Sequence, residues 1–129
     1  MSSIHFHKSS GAEAGIGVLD VLCRISDKWT LYVIGNLKDG PLRFNELRRS
    51  IAGISQRMLA LTLRNLEQDG LVSRTVYETV PLRVIYSLTP LGQTLADPAG
   101  AMLSWAETHL DNIADSRRVF EGQDGKLSD

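Results

Sequence analysis

The chain has 129 residues, of which 43% are hydrophobic and 22% are charged, a length that suits one modest core and excludes two full domains. Its single cysteine excludes an intrachain disulfide, and no apolar run approaches the ~20 residues that a membrane-spanning helix needs. Because the N-terminus also lacks a signal-peptide hydrophobic region, these features predict a cytoplasmic protein with no membrane contact.

The first fifteen residues carry Ser, Gly and isolated histidines without periodicity, which predicts a flexible N-terminal tail over 1–15. His5 and His7 lie two residues apart, a spacing that suggests a metal pair. No third ligand accompanies them, so we interpret them as tail residues and predict neither a metal site nor a cofactor.

Two helices are predicted next, each with apolar residues at helical spacing. The second follows a cap at Ser26 or Asp27 and ends before Gly40-Pro41, a combination that stops a helix. Trp29 in this helix is interpreted as core packing. The apolar stripe of the first helix consists of Val18, Val21, Leu22 and Ile25.

The most informative stretch is a capped helix that begins after Ser55 and ends at Gly70. Ser55 is a good N-cap, and glycine is the residue that most easily adopts a left-handed C-cap. Its apolar stripe is Leu59, Leu63 and Leu66. Its opposite face has no acidic residue and consists of Gln56, Arg57, Ala60, Leu61, Arg64 and Asn65. Gln and Arg at the start of a helix suit base edges and phosphates in a major groove.

A shorter helix precedes this one, with Phe44, Leu47 and Ile51 at helical spacing and Gly53 in the connecting turn. Helix, glycine-containing turn and capped basic helix form the helix-turn-helix pattern. An ordinary pair of antiparallel helices with a solvated outer face is the alternative. Leu61 is likewise open to two interpretations, an apolar contact to thymine methyl groups or burial against the structure that follows.

The segments 71–77 and 83–88 are rich in β-formers and are separated by 78–82, which predicts a hairpin in the position of a wing. Leu42 is predicted to add a short strand to the same sheet. Val84, Tyr86 and Leu88 alternate and are expected to face the core. Arg83, beside Pro81 at the tip, is placed to reach a phosphate or the minor groove.

Thr89-Pro90 is an N-cap followed by proline at the first helical position, which predicts a C-terminal helix over about 90–118. Because Asp97-Pro98 repeats the signal, a break or kink with a restart is predicted there. The helix has more apolar surface than one face needs, and we expect a second copy of the chain to cover it, with folding back onto the chain's own core as the alternative. The residues predicted for dimerisation are Met102, Leu103, Leu110 and Ile113. Residues 119–129 are predicted to be a flexible tail, which leaves 16–118 as the domain.

Charge is distributed unevenly along the chain, although the net charge is only −1. From residue 43 to residue 86 there are seven arginines against four acids, a net charge of +3. Residues 87–129 carry a net charge of −4, and residues 1–42 are neutral. Positive charge is therefore confined to the predicted helix-turn-helix and wing, where DNA phosphates would be neutralised.

Seven short sequence motifs follow one another along the chain, at residues 28–31, 40–49, 54–59, 63–67, 69–72, 80–84 and 86–92. Together they resemble the HxlR-type winged helix-turn-helix transcriptional regulators of bacteria over about residues 19–110. The resemblance implies a mainly α fold with a small β-hairpin, a winged helix-turn-helix domain with N- and C-terminal dimerisation helices. It also implies a homodimer that regulates transcription from a palindromic operator in double-stranded DNA, and it leaves open modulation by a small-molecule or redox signal.

On this interpretation Gln56 and Arg57 are the first candidates for base contacts, and Arg64 is a second groove contact. Ser55 caps the helix and contacts phosphate. The residues expected to hold the DNA backbone and set the register are Arg43, Arg49 and Arg83.

Two other functions fit the same residues. A winged helix can serve as a protein–protein module, with its arginines paired to an acidic partner. A small-molecule pocket between the terminal helices and the helix-turn-helix is compatible with DNA binding. An enzyme is not predicted, because the sequence has no Gly-rich phosphate loop, no Ser/His/Asp arrangement and no Cys/His metal spacing.

Cys23 requires separate consideration, because some members of the resembled family sense oxidants or aldehydes through a cysteine just before the first helix. Counting back from Trp29, the equivalent position here is Ile16. Cys23 lies inside the predicted first helix, so we interpret it as a semi-buried structural thiol.

Overall fold

The computed structural model describes residues 15–127, with side chains described through residue 123. Within that range it has five helices and three strands: α1 (Val18–Ile25), α2 (Lys28–Leu37), β1 (Leu42–Arg43), α3 (Phe44–Ser50), α4 (Gln56–Gln68), β2 (Val72–Tyr77), β3 (Arg83–Leu88) and α5 (Pro90–Leu127). The mainly helical fold with a small sheet is confirmed. The predicted N-terminal tail lies outside the described residues, except for Gly15.

The core lies where α2, α4 and the first part of α5 meet, and its largest members are aliphatic. The predicted stripe of Leu59, Leu63 and Leu66 is buried, as expected from helical spacing. Thr62 is buried with them, and its hydroxyl donates to the Met58 carbonyl at 2.8 Å, which satisfies its polar group. From the other two helices the core receives Val33, Ile34, Leu37, Ala96 and Ala99.

The three strands form an antiparallel sheet in the order β1-β3-β2, so the second strand of the hairpin is central. Leu42 pairs with Tyr86, which confirms the predicted short strand before α3. The three residues expected to face the core are all half-buried; Tyr86 and Leu88 pack against the core as predicted, whereas Val84 lines the surface between α3 and the hairpin. The sheet thereby ties the wing to the segment that enters α3.

Helix α1 differs from the rest because it buries none of its residues within the chain. At the C-terminal end of α4, Arg24 donates to the Gln68 side-chain oxygen at 3.3 Å and forms an ion pair with Asp69 at 3.0 Å. Cys23 is exposed, so the prediction of a semi-buried thiol is wrong. The apolar stripe was predicted correctly as a stripe: Ile25 packs against the core, whereas Val18, Val21 and Leu22 are exposed in the part of the chain that the structure describes.

Helix α2 begins at the cap predicted for it. The Asp27 carboxylate accepts from the backbone amides of Trp29 at 3.1 Å and Thr30 at 3.3 Å. Trp29 packs against the core, in agreement with its interpretation as a packing residue.

The start of α5 is joined closely to the junction of α4 and β2. The Thr89 hydroxyl donates to the Gly70 carbonyl at 2.6 Å and accepts from the Gly92 amide at 3.0 Å, so Thr89 is the predicted cap. A Cβ atom at Gly92 would lie 2.0 Å from the Leu71 carbonyl oxygen. Only glycine therefore permits this approach, which fixes the direction of α5 relative to the wing.

Helix α5 is continuous through Pro98, so the predicted break with a restart is wrong. Ala96 and Ala99 are both buried against the core, and Lys38 pairs with Asp97 at 3.1 Å, so packing on α2 holds the helix together across the proline. The helix continues beyond its predicted end at residue 118 to Leu127. At 1.5 Å per residue it is about 57 Å long. Among the described residues no helix is long and apolar enough to span a membrane.

Candidate nucleic-acid interface

The start of α4 is the best-defined part of the site. Ser55 caps it, since its Oγ accepts from the Met58 amide at 3.0 Å. Leu59 and Leu63 anchor the opposite side in the core, and Gln56 and Arg57 are therefore exposed on the first turn. Backbone amides at this end also favour anions. The first turn can therefore present donors to base edges.

Replacing Ser55 by alanine is expected to lower the free energy of unfolding by ~1 kcal/mol, because the first-turn amides lose their acceptor. Urea denaturation measures this loss. Ser116→Ala is the control, because it is the same change at an exposed position inside α5 and should be neutral or slightly stabilising. Equal effects of the two changes would show that the cap contributes nothing.

The outer face of α4 continues beyond its first turn with Ala60, Leu61 and Arg64, all of them exposed. Leu61 is 50% exposed, so its predicted alternative of burial against the wing is wrong. An exposed leucine and alanine beside arginines can make apolar contacts to thymine methyl groups.

Helix α3 presents a second set of polar side chains next to α4. Its N-terminus is closed by Glu46, whose carboxylate accepts from the Arg43 amide at 2.8 Å. Leu47 is buried, and this orientation leaves Arg48 and Arg49 exposed. The connecting turn needs Gly53, which has a φ of 84° and so lies in the left-handed region.

A groove of about 840 Å³ separates α3 from the wing. Arg43 and Arg49 line its α3 side, and residues 79–84 line its wing side. The structure thus brings together Arg43, Arg49 and Arg83, the three residues predicted to hold the DNA backbone. Arg83 lies over the ring of Tyr77, with 4.8 Å between the guanidinium carbon and the ring centroid, which orients it at the base of the wing loop.

A second groove, of about 500 Å³, adjoins the first and shares Asn45 and Arg49 with it. Arg48 and residues 51–54 complete its lining. Ile54 directly precedes Ser55, so the two grooves connect the wing to the start of α4. We call the exposed residues of 43–57, 60, 61, 64 and 79–84 the arginine surface.

The arginines of this surface are not neutralised by ion pairs with other described side chains. Across the side chains that the structure describes, none of the arginines between positions 43 and 83 forms an ion pair. Glu46 is engaged by the α3 cap, and Asp69 is paired with Arg24. The positive charge is therefore available to an anionic partner.

Sequence reasoning missed two members of this surface, Asn45 and Arg48. Both line the second groove, and Asn45 lines the first groove as well. They were detectable, because Asn45, Arg48 and Arg49 occupy positions i, i+3 and i+4 and therefore share one face of α3.

The residues predicted for dimerisation lie on α5, separate from the arginine surface. Met102 and Leu110 are exposed, and Ile113 is half-buried. Leu103 lies against the backbone of Gly35 in α2, so part of its apolar surface is covered within the chain. In residues 15–123, no group of three or more His, Cys, Asp or Glu side chains is arranged to hold a metal ion.

The capped helix, its supporting helix and the wing make this chain a winged helix-turn-helix protein, the class of DNA-binding transcriptional regulators. The sequence model of the HxlR-like helix-turn-helix family matches residues 24–114. The chain belongs to this family, and the resemblance found in the sequence is confirmed. It is a transcriptional regulator of the helix-turn-helix type.

Individual relatives agree with this assignment. YtfH of Escherichia coli (strain K12), an uncharacterised HTH-type transcriptional regulator, is 40% identical over 94 residues, which cover 73% of this chain and 75% of that protein. A solved structure of ytfH from Salmonella typhimurium, described as a transcriptional regulator, has a TM-score of 0.76 at 38% identity and covers 87% of this chain and 99% of its own. The structure of the redox regulator HypR in its reduced form has a TM-score of 0.68 at 44% identity and covers 76% of this chain and 97% of its own.

Proposed function

We propose that this regulator acts as a homodimer that binds a palindromic operator, with one arginine surface on each half-site. The observation that carries the proposal is the continuity of that surface from the wing to the start of α4, with arginines that have no acidic partner among the described side chains. The proposed docking follows that of helix-turn-helix proteins, in which one helix lies in the major groove and contacts base edges.

On each half-site α4 enters the major groove with its N-terminal turn. Arg57 makes a bidentate contact to guanine O6 and N7, and Gln56 contacts adenine N6 and N7. Arg64, farther along the exposed face of α4, is the second groove contact. The Ser55 cap brings the helix N-terminus to a phosphate.

The two grooves beside α3 follow the sugar–phosphate backbone. Arg43, Arg49 and Arg83 converge on the first groove, where one phosphate strand passes between α3 and the wing. These contacts carry no base information and fix the register of α4 in the groove. Arginine suits this task because its planar guanidinium binds phosphate bidentately.

Dimerisation is supported by apolar side chains of α1 and α5 that are exposed among the described residues. Exposed apolar surface of this kind marks interaction sites, and a two-fold dimer covers the same surface on both subunits. The exposed apolar residues on these two helices are Val18, Leu19, Val21, Leu22, Leu91, Met102, Trp105, Leu110, Val119 and Phe120.

Selection of bound sequences from random duplex DNA tests the proposal directly. We expect a palindrome whose half-site centres lie about 34–36 Å apart, one helical turn, because the protein's two-fold axis imposes the same symmetry on its site. Recovery of no enriched motif would reject it. If the arginine surface instead retained an acidic protein in pull-down experiments, the chain would be a protein–protein module.

HypR is named as a redox regulator, but that name says nothing about an effector of this chain. In this chain the only cysteine is Cys23, on α1. The neighbouring Arg24 contacts Asp69 at the C-terminal end of α4, whereas the DNA-reading turn is at the other end. We therefore propose that Cys23 has no part in DNA binding or in an oxidant response, and that any effector acts elsewhere.

The variant Cys23→Ser is expected to keep the operator affinity of the wild type and to respond to diamide as the wild type does. Fluorescence anisotropy with labelled operator, with and without diamide, measures both quantities. Release of the wild type but not of the variant by diamide would assign a sensing role to Cys23.

A further inference from the structure

The two edges of the wing sheet differ in how far they are open to another strand. The order β1-β3-β2 makes β1 and β2 the edge strands. Strand β1 has only two residues and runs directly into α3, which leaves too short an edge for stable pairing. Strand β2 has six residues, and within the described part of the chain no strand lies on its outer side. The edge of β2 is therefore open.

Strand β2 also lacks the features that usually protect an open edge. Proteins block such edges with proline, lysine or a β-bulge. The sequence of β2 contains neither proline nor lysine, and its register with β3 continues without a bulge from Val72 opposite Leu88 to Tyr77 opposite Arg83. Residues 74–77 are all exposed. Backbone amides and carbonyls on the outer side of β2 can therefore bond to a partner strand.

The charges beside this edge are arranged symmetrically about Val76. Arg74 lies two residues before it and Glu78 two residues after it, and neither forms an ion pair with any described side chain. In an antiparallel pair of two β2 strands centred on Val76, Arg74 lies opposite the partner's Glu78 at both ends of the pair. Thr75 then lies opposite the partner's Tyr77, and such β-branched–aromatic pairs stabilise sheets.

Other registers that keep the two sheets facing the same way are less favourable. Centring the pair on Arg74 places two arginines directly opposite each other, which is destabilising. Centring it on Thr75 or Tyr77 places Glu78 opposite a valine. Among these four registers, only the one centred on Val76 pairs each charge with its opposite. The edge is therefore complementary to a second copy of itself.

We propose that the open edge of β2 pairs antiparallel with β2 of a second copy, centred on Val76, and thereby joins two regulator molecules through their wings. This interface is separate from the exposed apolar residues of α1 and α5 that are proposed to form the dimer. Each copy then has two different two-fold interfaces, so dimers on neighbouring operators can contact one another and bind cooperatively. The strand pairing does not require DNA, whereas the cooperative binding rests on the proposed function.

The paired segment is short, and this sets the strength of the association. The Thr79 amide donates to the Tyr77 carbonyl at 2.8 Å and turns the chain away after β2. The ladder between the two copies therefore comprises residues 75–77, with an Arg74–Glu78 pair at each end. An interface of this size belongs to the weak, transient class. We expect association beyond the dimer at submillimolar protein concentration without DNA, and at lower concentration on paired operators, where the local concentration of wings is higher.

Charge reversal in the full-length protein tests the pairing. Arg74→Glu and Glu78→Arg each place like charges opposite one another at both ends of the strand pair, whereas the double variant Arg74→Glu/Glu78→Arg restores opposite charges. In sedimentation equilibrium each single variant should associate beyond the dimer about tenfold or more weakly than the wild type, and the double variant within about threefold of it. Cooperativity on duplexes with two adjacent operators, compared with one, should follow the same order. Thermal unfolding verifies that all variants fold.

Cysteine cross-linking tests the register. Val76→Cys in the Cys23→Ser protein places a thiol opposite its own copy, so diamide should link two chains through position 76. Thr75→Cys in the same background is the matched control, because this exposed neighbour on β2 lies opposite a tyrosine. The yield of linked chains should be about fivefold or more higher for Val76→Cys, since a disulfide requires closely spaced Cβ atoms.

Three results would overturn the β2 interface while leaving operator binding intact. They are single variants that associate as the wild type does, a wild type that never exceeds the dimer and binds paired operators without cooperativity, and equal cross-linking at positions 75 and 76. Absence of any selected DNA motif would instead reject the proposed function. Sedimentation and cross-linking would still report on the strand pairing, so the two failures are distinguishable.

Discussion

The variant Leu110→Glu is expected to be monomeric at micromolar concentration and to bind the operator about 100-fold or more weakly than the wild type. Leu110 is 63% exposed on α5, and in the proposed dimer the partner's α5 covers it. Burial of an unpaired carboxylate at that position costs several kcal/mol, which opposes association. Once the subunits separate, each half-site is bound alone and the gain from linking two sites is lost.

Asn112→Glu provides the matched control, since it adds the same charge two residues away on the opposite side of α5. It should leave both sedimentation and operator affinity close to the wild type. Leu110→Glu should also bind an isolated half-site as tightly as one wild-type subunit does, because the arginine surface is unchanged. A wild-type protein that sediments as a stable monomer and still binds paired half-sites would contradict the dimer.

The sequence was most informative where local chemistry alone determines the structure. Ser55 at the cap, the leucines at helical spacing and Gly70 at the C-terminus defined α4 almost to the residue. Gly70 has a φ of 76°, as a left-handed cap requires. The wing strands were also close to their observed limits, because β-branched residues and the Pro81 loop are local signals.

The errors arose where distant parts of the chain decide the outcome. Pro98 is a local breaker, but burial of Ala96 and Ala99 against α2 outweighs the lost backbone hydrogen bond. The stripe on α1 correctly indicated a helix, but a stripe does not reveal whether its cover comes from the same chain. The exposure of Cys23 was misjudged for the same reason.

The sequence identified individual candidate arginines but not how they are grouped in space. Arg43, Arg49 and Arg83 are up to forty positions apart in sequence, and only the pairing of β1 with β3 brings the α3 entrance beside the wing. Asn45 and Arg48 could be found from their helical spacing with Arg49, but that spacing alone does not show which face of α3 borders the two grooves.

Alanine substitutions at Arg57 and Arg83 are expected to have different effects on DNA binding, because the two side chains contact different parts of the DNA. Arg57→Ala should cost about 1–3 kcal/mol on the selected operator and relax the base preference at one position in each half-site. Its effect on random duplex should be much smaller. The expected cause is the loss of a bidentate contact to a base edge from the first turn of α4.

Arg83→Ala should instead weaken operator and random duplex about equally. Because a phosphate contact releases counterions, the slope of log affinity against log salt should fall by about one unit per site. Arg117→Ala on α5, an exposed arginine outside the arginine surface, is the control and should change neither quantity. Titrations of all three variants against operator and scrambled duplex at several salt concentrations separate the two roles. The opposite outcome is that both arginine variants keep full DNA affinity but lose a protein that the wild type captures. It would assign the arginine surface to that protein, because removing a guanidinium that contacts neither base nor phosphate does not change DNA affinity.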